Sequence, residues 1–192
     1  MNATVYDERV CTLGEGPLWH PLRQQLFWFD IIGQKLMTRG GEGEPWSWSF
    51  DKMVSAAGWI DRDTLLVASE TGLFRFNLTS GARSAVASAG SAETRSNDGR
   101  ADRQGGFWFG TMGKKAEKGA GAIWRWYRGE LRQVFPGVTA IPSHGHTPGH
   151  TAYLIASGNE QLMIWGDTVH VPEVQTAIPE AGVDILFGIG GT

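Results

Sequence analysis

The feature that most constrains the fold of this chain is a strand-like apolar run that recurs at a nearly constant interval. The runs are centred on Trp28, Leu66 and Trp108, so that neighbouring centres stand 38 and 42 residues apart. A β unit of this length cannot bury its apolar face alone and has to stack against its neighbours. We therefore expect one repeated β unit to build most of the chain.

A second strand-like segment follows each run, and the links between the two contain Gly or Asp. These second segments lie at residues 35–38, 72–78 and 122–127. No long apolar pattern with a period of 3.6 residues competes with the strands. The spacing is typical of propeller blades, so we predict an all-β fold that forms a partial β-propeller of about three blades. A β-sandwich of similar short strands is the alternative that periodicity alone leaves open.

Composition excludes several classes of partner. The net charge of −3 provides no basic surface for nucleic acid or anionic lipid. The first ten residues lack both the apolar run of a signal peptide and the length of a membrane span. Cys11 is the single cysteine and permits no internal disulfide. We expect a cytoplasmic protein that binds neither nucleic acid nor a membrane.

A change of composition divides the chain near Pro136. All 17 Lys and Arg residues fall at or before Arg132, and eight of the nine Trp residues precede residue 135. Four of the five His residues lie between His144 and His170. A shift of this kind indicates two regions with separate roles. We predict domains at residues 1–135 and 136–192.

Candidate chemistry lies in the segment at 95–99, directly ahead of an aromatic strand at 107–109. Asn97 and Asp98 precede Gly99, a combination that predicts a turn in which the backbone can approach a ligand closely. From spacing alone, the alternative is a turn capped by its own Asn and Asp side chains.

A second candidate is Glu15, which stands between Gly14 and Gly16. This arrangement predicts a carboxylate that is presented from a tight loop, and a solvated glutamate is the alternative. Hard divalent ions favour carboxylate and amide oxygens as ligands.

Two motifs, LGEGPLWHPLRQQLFWFDI from Leu13 and RSNDGRADRQGGFWFGTM from Arg95, resemble the regucalcin and gluconolactonase family over about residues 9–135. The resemblance implies a six-bladed β-propeller lactonase that uses a divalent metal (calcium, zinc or manganese) to activate water and open a sugar lactone. It further implies that Glu15 is a metal ligand and that Arg95 and Asn97 bind the small-molecule lactone substrate.

The chain departs from that family at two places. Gly113-Lys114-Lys115 follows the GTM segment, where some animal members have acidic residues. A more positive pocket would be compatible with an acidic sugar lactone, and a solvated loop is the alternative. Ser143 follows Ile141-Pro142 at the position where the family has an Asn metal ligand, and we find no counterpart of the family's catalytic Asp. The resemblance therefore implies an impaired lactonase.

The motifs GHTPGHTAYLI from Gly145 and WGDTVH from Trp165 give residues 136–175 a resemblance to part of the metallo-β-lactamase superfamily, which implies metal-binding roles for His150 and Asp167. We expect residues 152–166 to add a C-terminal β-hairpin from this metallo-β-lactamase-like segment to the blades. The last stretch, TAIPEAGVDILFGIGGT from Thr176, resembles a short part of class II fructose-1,6-bisphosphatases. Alternative functions are therefore a metallo-β-lactamase-like hydrolase and a non-catalytic, metal-binding chain composed of fragments from several families.

The histidines near the C-terminus permit a further interpretation. His144, His146, His150 and His170 could form a new zinc site with Asp167, and a flexible loop with solvated imidazoles is the alternative. Three blades cannot close a ring, because propellers typically have four to eight. We expect the unpaired strand edges of such an array to favour self-association.

Overall fold

The computed structural model describes residues 4–40, 43–117, 120–134, 138–142, 151–157 and 160–164. Every regular element in this part of the chain is a β-strand, and all pairings between the strands are antiparallel. The prediction of an all-β fold is therefore confirmed. The described residues contain no helix that is long and apolar enough to cross a membrane. The chain divides into two compact units, residues 1–134 and 135–192.

The first unit contains three sheets of four strands, and in each sheet the strands follow one another in sequence order. The first sheet consists of β1 (Gly14–His20), β2 (Gln25–Asp30), β3 (Lys35–Arg39) and β4 (Pro45–Ser49). The second consists of β5 (Val54–Trp59), β6 (Thr64–Ser69), β7 (Gly72–Asn77) and β8 (Arg83–Ser88). The third consists of β9 (Thr94–Ala101), β10 (Phe107–Gly113), β11 (Ala122–Tyr127) and β12 (Glu130–Gln133). The recurring apolar runs are thus the second strands β2, β6 and β10.

The first strands of the three sheets lie side by side and run in the same direction. At the start of β5, the carbonyl oxygen of Ser55 lies against Gly16 of β1, and at its end the Trp59 ring lies 5.8 Å from the His20 ring of β1. On the other side of β5, Gly99 of β9 packs against Ala56, and β9 continues beside β5 in the same direction. Small residues permit this close approach of three backbones. The starts of β1, β5 and β9 consequently meet at one end of the unit.

Apolar side chains between adjacent sheets form the core of the first unit. One cluster lies between the first and second sheets and includes Phe27, Phe29, Leu36, Leu65 and Phe76, all with at most 1% of their surface exposed. Another lies between the second and third sheets, with Leu66, Leu73, Phe107 and Phe109 among its members. Each sheet is therefore held by side-chain packing against its neighbour, as expected for blade-like units that cannot bury an apolar face alone.

The second unit contains a single described sheet with the order β13 (Val138–Pro142), β14 (Thr151–Ser157) and β15 (Glu160–Ile164). The pairing of β14 with β15 has the form of the hairpin predicted for residues 152–166. The prediction was incomplete, because β13 pairs with the other edge of β14 and makes the sheet three-stranded. Pro142, at the end of β13, obscured this strand in the sequence, since proline is unfavourable inside strands.

One carboxylate secures the turn between β9 and β10. Asp102 Oδ1 accepts hydrogen bonds from the backbone N–H groups of Gln104 and Gly106 at 3.0 and 2.7 Å. Its Oδ2 accepts the indole N–H of Trp108 at 2.9 Å and two N–H groups of Arg125 at 2.9 and 2.6 Å. Burial of this carboxyl favours its neutral form, but the hydrogen bonds outweigh that effect and hold its pKa at about 2.

The Asp102→Asn substitution is expected to lower the urea midpoint at pH 7, because an amide nitrogen would then face N–H donors on one side of the group. The folded-state pKa lies below the ordinary value of 3.8, so the wild-type advantage is complete above about pH 4 and is lost as the pH falls towards 2. Urea titrations at pH 7 and pH 2.5 measure this loss. Asp98→Asn is the control, since exposed Asp98 accepts one hydrogen bond, from the adjacent Gly99 amide, among the residues that the structure describes. An equal midpoint difference at both pH values would contradict the assignment.

Candidate active site

Glu15 is the second residue of β1, where it pairs with Phe29 of β2 and is exposed. The prediction of a tight loop at Glu15 was wrong, because the residue lies within a strand. A β-bulge between Glu15 and Leu18 interrupts the strand, and Gly16 has a φ of 60° there. The neighbouring glycine therefore serves a bulge rather than a loop, and bulges commonly redirect a side chain.

Asp30 holds the segment that leads into Glu15. Its carboxylate accepts backbone N–H groups from Thr12 at 3.1 Å, from Leu13 at 3.0 Å and from Gly33 at 3.0 Å. Burial favours the neutral carboxyl, but these three hydrogen bonds outweigh it and lower the pKa of Asp30 below its ordinary value. The start of β1 is thereby tied to the turn between β2 and β3.

Arg95 and Asn97 both lie in β9, although the sequence predicted a turn at this position. The turn signal instead marks an irregularity, since the register between β9 and β10 shifts opposite Phe109 and Thr111. Only 8% of the surface of Arg95 is exposed, and Asn97 is half-buried. Arg95 Nη1 donates to the Ser96 carbonyl at 2.9 Å and to Asn97 Oδ1 at 3.0 Å.

Glu15 and Arg95 interact electrostatically across the starts of β1 and β9. Burial lowers the pKa of the Arg95 guanidinium, and the negative charge of Glu15 opposes this shift. The structure therefore brings together the three residues that the sequence suggested in the first unit: a carboxylate, a buried guanidinium and an amide that the guanidinium orients. Such a set offers N–H donors for carbonyl and hydroxyl oxygens and one carboxylate ligand for a cation.

Sequence reasoning missed the residues that lie between these groups. Ser55 and Ser96 are fully buried, and Ser55 Oγ donates to Ser96 Oγ at 2.7 Å. The small residues SAAG of β5, from Ser55 to Gly58, were the sequence signal for this contact. The first strand of the middle sheet has close neighbours on both sides and therefore needs small side chains. A cavity of about 80 Å³ follows the same three strands, with its lining at residues 16–18, 57–59 and 99–101.

Lys114 does not add net positive charge to this region. Its Nζ lies 2.8 Å from Glu70 Oε2, so the two side chains form an ion pair. Lys114 therefore does not support an acidic lactone as the substrate, and only Lys115 of the lysine pair is left as an argument for it.

The described residues include a suitable type of ligand for a divalent metal but too few ligands to hold one. Glu15 is a suitable oxygen ligand, yet the part of the chain that the structure describes contains no group of three or more His, Cys, Asp or Glu side chains that could hold an ion. Calcium takes six to eight oxygen ligands, so Glu15 alone does not make a calcium site. His150 and Asp167 lie outside the described residues, as do His144, His146, His170 and Ser143.

Comparison with known proteins assigns the chain to a family. The family model described as SMP-30/Gluconolactonase/LRE-like region matches residues 13–166. A protein of Rhizobium meliloti (strain 1021) assigned as a sugar lactone lactonase is 33% identical over 159 residues, which are 81% of this chain and 54% of that protein. L-arabinolactonase of Azospirillum brasilense is 36% identical over 120 residues, which are 60% of this chain and 40% of the relative.

The solved structure of regucalcin from Agrobacterium tumefaciens str. C58, described as a calcium-binding protein, is similar with a TM-score of 0.67 and 30% identity. The similarity covers 85% of this chain and 57% of that one. The chain thus spans about half the length of the relatives that it matches.

These findings refine the predicted boundaries of the resemblance. The family match continues past residue 135 to residue 166, so it includes much of the segment that resembled metallo-β-lactamases. The matches give no support to a metallo-β-lactamase part or to a fructose-bisphosphatase part. The predicted propeller-like architecture is supported by the similarity to regucalcin. The chain belongs to the SMP-30/gluconolactonase/LRE-like family.

Proposed function

We propose that this chain hydrolyses sugar lactones, with Arg95 and Asn97 as the substrate-binding residues. The observation that carries the proposal is the buried Arg95 guanidinium, which is hydrogen-bonded to Asn97 and lies within the electrostatic influence of Glu15. The names of the relatives, a sugar lactone lactonase and an L-arabinolactonase, support a small-molecule lactone as the substrate.

Ring opening places negative charge on the lactone carbonyl oxygen when water adds to the carbonyl carbon. A buried guanidinium suits this charge, because a donor in a largely water-excluded site stabilises it more than water does. Asn97 Oδ1 accepts from Arg95, which leaves its amide N–H groups available to a sugar hydroxyl. Arg95 would therefore stabilise the developing charge, and Asn97 would orient the ring.

We further propose that Glu15 supplies one ligand to a divalent metal, with calcium, zinc and manganese as the candidates. The described residues do not complete the coordination of such an ion, so we derive no catalytic step from it. Slow turnover is part of this proposal, because Ser143 stands at the position where the resemblance implies an Asn ligand.

The experiment is to measure hydrolysis of gluconolactone and arabinolactone by proton release, after chelation and then after addition of each metal. We expect a metal-dependent rate above the spontaneous background, and we expect Glu15→Gln to abolish the response to metal. Glu8→Gln is the matched control, since Glu8 is also an exposed glutamate of the first unit. A rate that equals the background with every metal would refute the proposal.

Two further predictions from the sequence stay proposals. Self-association would use the outer strands such as β4, which is the last strand of its sheet among the described residues and could pair with another chain. Sedimentation would show a dimer in that case. We likewise propose a cytoplasmic location, which the single cysteine supports and which fractionation would check.

A further inference from the structure

A pair of hydroxyl groups connects the second and third sheets beside the candidate site. Ser55 of β5 donates to Ser96 of β9 over 2.7 Å, and neither side chain has exposed surface. The strands β5 and β9 belong to different sheets and share no backbone hydrogen-bond ladder. Side-chain contacts therefore set the distance between them at this point.

Each serine also contacts a strand that carries a candidate site residue. The carbonyl oxygen of Ser55 lies so close to Gly16 that a Cβ atom there would overlap it, and Gly16 follows Glu15 directly. The carbonyl oxygen of Ser96 accepts from Arg95 Nη1 at 2.9 Å, and Ser96 stands between Arg95 and Asn97. A continuous series of contacts thus leads from Glu15 through the two serines to Arg95.

We propose that Ser55 is a positioning residue of the site, and that its hydrogen bond to Ser96 fixes Arg95 and Asn97 relative to Glu15. Ser55 does not touch the substrate. It acts through the spacing of the three innermost strands, on which the placement of the guanidinium depends. The consequence for catalysis rests on the proposed lactonase function, whereas the consequence for the placement of Arg95 does not.

Two single substitutions and their combination distinguish an effect on the placement of the site residues from an effect on the stability of the fold. Ser55→Ala or Ser96→Ala leaves one buried hydroxyl without its partner and should lower the urea midpoint. The double variant removes both hydroxyls, and removal of both partners is often nearly neutral, so its midpoint should return close to that of the wild type. We expect kcat/KM of the double variant to stay reduced by about tenfold to a hundredfold, with most of the change in kcat, because small misplacements of binding groups are costly.

Ser69→Ala is the matched control in the second sheet. Ser69 is 2% exposed, and its hydroxyl donates to the Gly72 carbonyl at 2.9 Å, within the turn that joins β6 to β7. We expect this variant to lower the urea midpoint while kcat/KM stays unchanged. If the double Ser55→Ala/Ser96→Ala variant regains both its midpoint and its kcat/KM, the serine pair is only structural and the proposal is wrong.

Modification of Arg95 by phenylglyoxal, followed by peptide mass spectrometry, provides a readout that does not require activity. We expect Arg95 to react several-fold faster in the double variant than in the wild type and in Ser69→Ala. An inactive wild type with this faster labelling would overturn the lactonase proposal and retain the positioning of Arg95. Unchanged labelling would overturn the positioning role whether or not the wild type is active.

Discussion

The Gly16→Ala substitution is expected to destabilise the first unit by about 2–5 kcal/mol and to abolish lactone hydrolysis. Gly16 has a φ of 60°, and a left-handed conformation costs a residue with a Cβ about 1–2 kcal/mol. The added Cβ would also overlap the Ser55 carbonyl oxygen and approach the Phe29 ring to 3.0 Å, which adds an overpacking cost of about 1–3 kcal/mol. The clash is with backbone, so β1 has to move away from β5 and carry Glu15 with it.

Gly81→Ala separates these two costs. Gly81 also has a positive φ, at 72°, but an added Cβ there would meet no atom within 4 Å. This control should therefore lose only about 1–2 kcal/mol and retain activity. Urea titration gives both free energies of unfolding. If the two variants lost the same stability, the contact between Gly16 and Ser55 would have no energetic importance.

The Arg95→Ala substitution is expected to lower kcat/KM for a lactone substrate by about 10²–10³-fold, the usual effect of removing one donor that stabilises an oxyanion. Asn97 Oδ1 and the Ser96 carbonyl would lose their donor, and Glu15 would lose the positive charge near it. Steady-state rates across a range of lactone concentrations measure the loss, which should fall mainly on kcat.

Two comparisons make the result specific to Arg95. Arg95→Lys keeps the charge but not the planar fork of donors, so we expect it to recover only part of the activity. Arg75→Ala removes an exposed guanidinium of β7 and should leave kcat/KM unchanged. Full activity in Arg95→Lys would mean that charge alone, and not the paired donors, serves the reaction.

The sequence predicted the strands better than it predicted the local shape of the site. The spacing of the apolar runs located β2, β6 and β10, because the second strand of each stacked sheet buries large side chains at a regular interval. The glycines beside Glu15 and after Asp98 predict turns, whereas in the structure they lie at or near shifts of register within β1 and β9. Glycine is common in both bulges and turns because it adopts a positive φ without steric cost. Only the pairing of the strands distinguishes a bulge from a turn.

The contacts among the site residues depended on information that the sequence does not contain. The interaction of Glu15 with Arg95 spans 80 positions and depends on how three sheets stack. Ser55 lies in no motif, and the motif that begins at Arg95 includes Ser96 without indicating its partner, so nothing in the local sequence indicated that the two serines meet. Likewise, the Glu70–Lys114 ion pair joins two loops that are 44 positions apart. It offsets the positive charge that the sequence predicted at Lys114.

The middle sheet contributes none of the candidate ligand or substrate-binding side chains, yet it stands between the strands that carry them. Under the proposed positioning role of Ser55, the volume of residues such as Ser55 and Ala56 affects the spacing between the strands that carry Glu15 and Arg95. A change of one methyl group in β5 would widen or narrow the site while every reacting group stayed the same. Under the proposed lactonase function, substitutions in the core of the middle sheet would adapt the site to lactone rings of different size and leave Glu15, Arg95 and Asn97 unchanged.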